Sequence, residues 1–184
     1  MSQTQLHGTG LPGLVGQDHI GLTVPDLDQA LDFFVNVLGC GHAYSFGPIR
    51  DPDGDFMTAA LGVHPRAEIR RAALVRIGFG SNVELFEYAA PDQQRFQPKN
   101  SDIGAFHLAL YVTDIDAAKA YLESHQIACR LGPIPIGEGP NAGQSILYFQ
   151  APWGLDMELI SYPGGMAYEK TATTILWNPN KPSA

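Results

Sequence analysis

The chain has 184 residues and a formal charge of −8, from 11 basic and 19 acidic side chains; 45% of its residues are apolar and 16% charged. That balance describes one folded domain, or two small half-domains sharing a core, and excludes a disordered chain. An acidic chain without a basic run argues against nucleic acid or an anionic membrane as partner, and no apolar run approaches the roughly 20 residues that span a bilayer.

Residues 1–16 are rich in Gly and polar side chains and read as a flexible arm that needs a partner surface to order. The arm has neither a basic start nor a long apolar core, so it is not a secretion signal, and a cytoplasmic protein is expected. From Asp18 to Val24 the pattern alternates, with His19, Gly21 and Thr23 on one face of a strand and Ile20, Leu22 and Val24 on the other. Pro25 stops the strand and Asp26 is placed to cap a helix. Leu27, Ala30, Leu31, Phe34, Val35 and Leu38 have helical spacing, and Gly39 ends the run. A short strand over 42–46 follows. Residues 47–72 are irregular, with a short helix at 57–61, and form a candidate lid or substrate loop. Strands over 73–79 and 82–88 flank Gly80 and Ser81 as a hairpin.

Residues 90–104 are polar and contain Pro, and read as a linker. A second unit then opens with a strand carrying His107, Ala109 and Tyr111 on one face, followed by a helix capped by Asp114 or Asp116 and running to about Gln126. The glycine-rich loop 132–143 is a candidate to close over a ligand. Strands over 145–150 and 155–161 complete the unit, and the tail 163–184, with Trp177 near its end, is expected to dock on its own domain or on a second subunit. Cys40 and Cys129 form neither a metal motif nor a disulfide framework and read as reduced thiols.

Two stretches repeat. HIGLTVPDLDQALDFF from His19 returns as HLALYVTDIDAAKAYL from His107, agreeing at His, Leu, Val, Asp, Asp and Ala, and VELFEY from Val83 is echoed by MELISY from Met157. Each half therefore reads β-α-β-β-β. One such unit has too little core, so two must bury their sheets together. The expected fold is α+β: two βαβββ modules, 17–90 and 105–162, forming an incomplete barrel with helices outside, in one domain over 17–162.

Each half also supplies one histidine early and one glutamate late. Glu84 and Glu158 sit in apolar settings, where an unpaired carboxylate is costly without a cation or a proton. Two imidazoles and two carboxylates, His19, Glu84, His107 and Glu158, suit one divalent ion, Zn, Ni, Co, Mn or Fe(II), and leave room for a substrate with two neighbouring oxygens. Such an ion polarises a carbonyl and stabilises the enediolate formed when the adjacent carbon loses a proton. Glu158 and Glu84 are the acid–base candidates on opposite sides of that substrate. Tyr148, Tyr111, Asn82 and Arg50 are the candidate substrate contacts.

These motifs, with YFQAPWGLDMELI after them, resemble the vicinal oxygen chelate superfamily, the glyoxalase–bleomycin resistance–dioxygenase group, over residues 17–162. The resemblance implies a glyoxalase-like fold of paired βαβββ modules around a metal, and dimers that sometimes exchange modules between chains, so a homodimer is expected. His19, Glu84, His107 and Glu158 stand where isomerase-type members place four ligands. Ring-cleaving dioxygenases of the group use three, matched by His19, His107 and Glu158. Thr23 stands where bacterial glyoxalase I has an arginine that helps hold glutathione. The reading is a divalent-metal-dependent isomerase or epimerase that removes a proton next to the carbonyl of a small hydroxyketone or sugar-like ketone. Its rivals are a glyoxalase I-like lyase, an extradiol-type dioxygenase and a non-catalytic ligand-binding or resistance protein.

Overall fold

The structure, a computed structural model, describes residues 11–180. Residues 1–10 of the expected arm and the last four of the tail lie outside the described residues. The first half runs β1 (His19–Thr23), α1 (Leu27–Leu31), β2 (Gly41–Phe46), β3 (Ile49–Arg50), α2 (Phe56–Leu61), β4 (Glu68–Arg76) and β5 (Asn82–Ala89). The second runs β6 (Leu108–Tyr111), α3 (Ile115–Ser124), β7 (Ile134–Pro135), β8 (Ser145–Gln150) and β9 (Asp156–Ser161). Each half builds one open mixed sheet, β1-β5-β4-β2 with β3 added on β4, and β6-β9-β8-β7. The fold is α+β with paired modules.

The caps are those the aspartates promise. Asp26 accepts from the Gln29 amide at 2.9 Å, and Asp114, rather than Asp116, accepts from the Ala117 amide at 2.9 Å. The first helix departs from its expected form. Over Asp32–Val37 it widens into π turns, with the Leu38 amide donating to the Phe33 carbonyl at 2.9 Å. The wider turn sends two consecutive aromatics inward: Phe33 is 1% exposed and Phe34 is 0%.

Three further expectations change. β4 begins at Glu68, not at residue 73, because Arg70 and Arg71 hide the alternation where the pairing with β5 slips. β4 ends at Arg76, so the connection to β5 is the longer turn Ile77–Ser81. The loop 132–143 contains β7 and is tied to the tail, with the Ala167 amide donating to the Ala142 carbonyl at 2.9 Å and the Tyr168 amide to the Pro140 carbonyl at 2.7 Å. Gly143 is needed there: its φ is +101°, and a Cβ would meet the Gly165 carbonyl oxygen at 2.6 Å.

One core cluster joins the halves. It takes Leu22, Leu27 and Leu85 from the first and Leu108, Leu147 and Met157 from the second. Trp153, in the turn between β8 and β9, stacks edge-on against Phe33 with ring centroids 5.6 Å apart, and the Tyr121 hydroxyl on α3 donates to the Val37 carbonyl at 3.0 Å. The halves thus meet through their helices and the apolar faces of their sheets. The tail docks on the same chain, where Trp177 packs over Gly80 and Asn180 bonds the Tyr111 hydroxyl.

Cys40 is buried and Cys129 partly buried, both free; burial pushes the Cys40 thiol up to about 11, and burial first also raises Cys129. Among the described residues, no helix is long and apolar enough to cross a membrane.

Candidate active site

β1 and β5 run parallel, with His19 opposite Asn82 and Gly21 opposite Glu84. Alternation puts all four on one sheet face; a Cβ at Gly21 would meet only the Phe86 ring, at 3.6 Å. The two side chains meet diagonally, His19 Nε2 to Glu84 Oε2, at 3.2 Å. The second half repeats this. β6 and β9 are parallel with Ala109 opposite Glu158, and His107, two residues before Ala109, reaches Glu158 with Nε2 3.1 Å from Oε2. In both halves the residue opposite the glutamate is small, Gly21 or Ala109.

Around each pair the surroundings differ. His19 is held from behind by Asp18, with Oδ2 2.7 Å from Nδ1. That hydrogen bond raises the His19 pKa above its ordinary value against the lowering effect of burial, and the charge of Glu84 adds to it. The Asn82 side chain donates to the Asp18 carbonyl at 3.1 Å, and with Asp18 it lines a cavity of about 570 Å³. His107 lacks a neighbouring aspartate in the chain. Tyr148 instead covers the pair, its hydroxyl 3.4 Å from His107 Nε2 and its ring edge-on to the imidazole at 5.2 Å. Burial first, then the charge of Glu158, raises the Tyr148 phenol, which is therefore a neutral donor at physiological pH.

The pairs fit a divalent ion. Metal–donor bonds of about 2.0–2.2 Å at a right angle set neighbouring donors roughly 3 Å apart, which is the separation in both pairs. Asp18 on the far nitrogen of His19 is the kind of outer carboxylate that orients a metal-binding imidazole. Within one chain, however, the four residues do not gather around one point. Among the described residues no three of His, Cys, Asp or Glu cluster as a metal site. The chain carries two His–Glu pairs, one per sheet.

The other candidate contacts scatter. Tyr111 stacks on Tyr162 with centroids 4.8 Å apart, bonds Asn180, and lines a groove of about 730 Å³ beneath the tail. Arg50 is exposed on β3, opposite Glu68. Tyr148 alone of the four touches a His–Glu pair. Sequence reasoning missed Asp18, although it stands next to His19 in the chain. It also missed Asp156, two residues before Glu158 on the same face, and Arg130, which bonds it at 2.6 Å.

Residues 18–148 match the model of the Glyoxalase/Bleomycin resistance protein/Dioxygenase superfamily, and the chain belongs to that family. A relative from an Actinomyces species, 2-epi-5-epi-valiolone epimerase, is 46% identical over 173 residues, covering 94% of this chain and 93% of the relative. Among solved structures, a glyoxalase family protein from Bacillus cereus superposes with a TM-score of 0.63 at 19% identity, over 82% of this chain and 96% of that one. TnmS3, an antibiotic binding protein from a Streptomyces species, superposes with a TM-score of 0.55 at 18% identity, over 82% and 98%. These likenesses carry the fold, not a ligand.

Proposed function

We propose that this chain is a metal-dependent epimerase of a hydroxylated cyclic ketone, 2-epi-5-epi-valiolone or a near relative of it, with its active sites completed by a second copy of the chain. The observation that carries the proposal is the duplicated His–Glu pair, 3.2 Å in one half and 3.1 Å in the other, built by the same diagonal across parallel strands. The related epimerase supplies the substrate, whose name denotes a hydroxylated ketone.

His19 and Glu84 from one protomer, with His107 and Glu158 from its partner, would hold the ion. When bound, the ion draws electron density from a carbonyl and lowers the cost of the enediolate. The protein's own groups handle the proton. One glutamate takes it from the carbon next to the carbonyl; the C–H electron pair passes into the enediolate. Inversion requires that the returning proton reach the opposite face, so a second group must stand there. Glu158 and Glu84 would meet that requirement if the two sheets faced each other across the proposed dimer. A carboxylate has two oxygens, so one can face the imidazole while the other reaches the substrate. The Tyr148 hydroxyl, neutral and beside Glu158, donates to a substrate oxygen.

The test is complementation. His19→Ala and His107→Ala chains are each inactive alone. In a mixed dimer, one of the two sites contains both intact pairs, so a co-folded one-to-one mixture recovers about a quarter of wild-type activity. Activity is read as deuterium entering 2-epi-5-epi-valiolone next to its carbonyl in deuterated water. No recovery assigns each site to a single chain; no deuterium with the wild-type protein removes the epimerase.

A further inference from the structure

Asp156, Glu158 and Ser161 are the buried polar side chains of the described residues, and two of them lie side by side on the site face of β9. Glu158 belongs to the His107 pair. Asp156, with a side chain only 9% exposed, belongs to nothing described so far. It is paired across the sheet with Gln150, just as Glu158 is paired with Tyr148. Arg130 donates to its Oδ1 at 2.6 Å and the Gln150 amide to the same Oδ1 at 3.2 Å. Oδ2 has no hydrogen-bond partner among the described residues. Asp156, Gln150, Arg130 and Tyr148 line one cavity of about 540 Å³ under the segment Gln97–Ser101.

Burying a carboxylate is costly unless its oxygens are satisfied. Here Oδ1 is satisfied twice over, and Oδ2, without a protein partner, keeps access to solvent where Asp156 lines the cavity, so a ligand hydroxyl can take the place of water there. The cavity also offers a guanidinium, a primary amide and a phenol. Every one of these is a partner for hydroxyl groups; Leu147, Phe149, Met157 and Leu159 point the other way, into the core, while Ile146 and Ile160 continue the polar face beyond Tyr148 and Glu158. Same-face neighbours along a strand lie roughly 7 Å apart, a span that a six-membered ring with its hydroxyls can bridge from Glu158 to Asp156.

We propose that Asp156, Gln150 and Arg130 form a polyol subsite that binds the hydroxyls remote from the reacting carbon and so selects a polyhydroxylated ring over a bare hydroxyketone. Asp156 Oδ2 accepts from one hydroxyl, Gln150 and Arg130 donate to its neighbours, and Tyr148 joins this subsite to the Glu158 end. The inference rests on the epimerase reading for its substrate but not for its measurement.

The test compares two ketones on the full-length, metal-loaded protein by calorimetric titration. One is 2-epi-5-epi-valiolone; the other is 2-hydroxycyclohexanone, which keeps the neighbouring oxygens and lacks the remote hydroxyls. Wild type is expected to prefer the first at least tenfold. Asp156→Asn and Gln150→Met are expected to lose most of that preference while keeping metal content; Gln150→Met secures the result should Asp156→Asn fail to fold. Binding of both ketones weakened alike, with the preference intact, would mean that these residues only hold the sheet, and would overturn the subsite. So would a wild type without preference, or one that binds neither ketone. Preferential binding without deuterium uptake removes the epimerase and leaves the subsite. Deuterium uptake with preference intact in both variants does the reverse.

Discussion

The two halves build the same His–Glu diagonal and then diverge around it. In the first half everything nearby stiffens the imidazole: Asp18 holds its far nitrogen at 2.7 Å, and Asn82 holds the backbone of Asp18 at 3.1 Å. In the second half the matching positions open outward. Where the first sheet has Leu74 across from Glu84, the second has Tyr148 across from Glu158. Where the first has the amide Asn82 two residues before its glutamate, the second has the carboxylate Asp156; each lines a cavity, of about 570 Å³ and about 540 Å³. The two halves thus share one His–Glu diagonal set in different surroundings, and under the proposed function the first half would anchor the ion and the second would face the substrate.

Removing a glutamate should break this division most visibly. Glu158→Gln is expected to lower kcat about a thousandfold, within the range for a lost acid–base group, since Glu158 lies beside Tyr148 and the proposed subsite. Glu84→Gln is expected to cost about a hundredfold and to weaken metal binding in parallel. Metal content and single-turnover rates separate the two. Equal losses in both variants would make the halves interchangeable.

The asymmetry is sharpened by the groups behind the pairs. Asp18→Asn is expected to weaken metal affinity about 10- to 100-fold, as loss of an outer carboxylate does. Tyr148→Phe should leave metal affinity within about twofold and raise KM, by roughly one lost hydrogen bond to substrate, about tenfold. Competition with a chelator and steady-state kinetics give the two numbers. A large metal effect from Tyr148→Phe would mean that the second half is an anchor as well.

The repeat is why so much of this was readable beforehand. His19, Glu84, His107 and Glu158 stand out because two local patterns recur, and strand alternation fixes which face each occupies. Local signals also gave the caps at Asp26 and Asp114. What stayed hidden depends on contacts distant in sequence. The Arg130–Asp156 bond joins residues separated by a loop and two strand segments. The π widening after Leu31 goes with a long-range contact, Trp153 of the second half packing on Phe33. The start of β4 was masked because Arg70 and Arg71 sit at a slip in its pairing with β5. No sequence pattern states whether two half-sites meet in one chain or across two, because that is decided by which faces the core consumes.

The smallest expected effect tests how each helix is fastened to its sheet. In the first half Arg71 bridges Asp28 and Glu87 at 2.8 Å each, and Glu87 also accepts from the Leu27 amide at 3.1 Å. Burial alone would raise the Glu87 carboxyl. The Arg71 hydrogen bond, the Leu27 amide and the Arg71 charge outweigh it and hold the group below its ordinary value. A depressed carboxylate stabilises the fold above the ordinary range, and that contribution is lost as pH falls through the folded value. In the second half Lys119 on α3 donates to the Gly132 carbonyl at 2.9 Å, which does not titrate; the 3.8 Å pair of Lys119 with the exposed Glu123 lies within α3 itself and adds little. Arg71→Met should therefore lower Tm by about 2–4 °C at neutral pH, for at most about 1 kcal/mol from a solvent-screened network. That deficit should vanish once Glu87 is protonated. The smaller deficit of Lys119→Met should persist through the same acid range. Melting curves of both variants from neutral to acid pH decide it, and parallel curves for the two would show that the fastenings do not differ in kind.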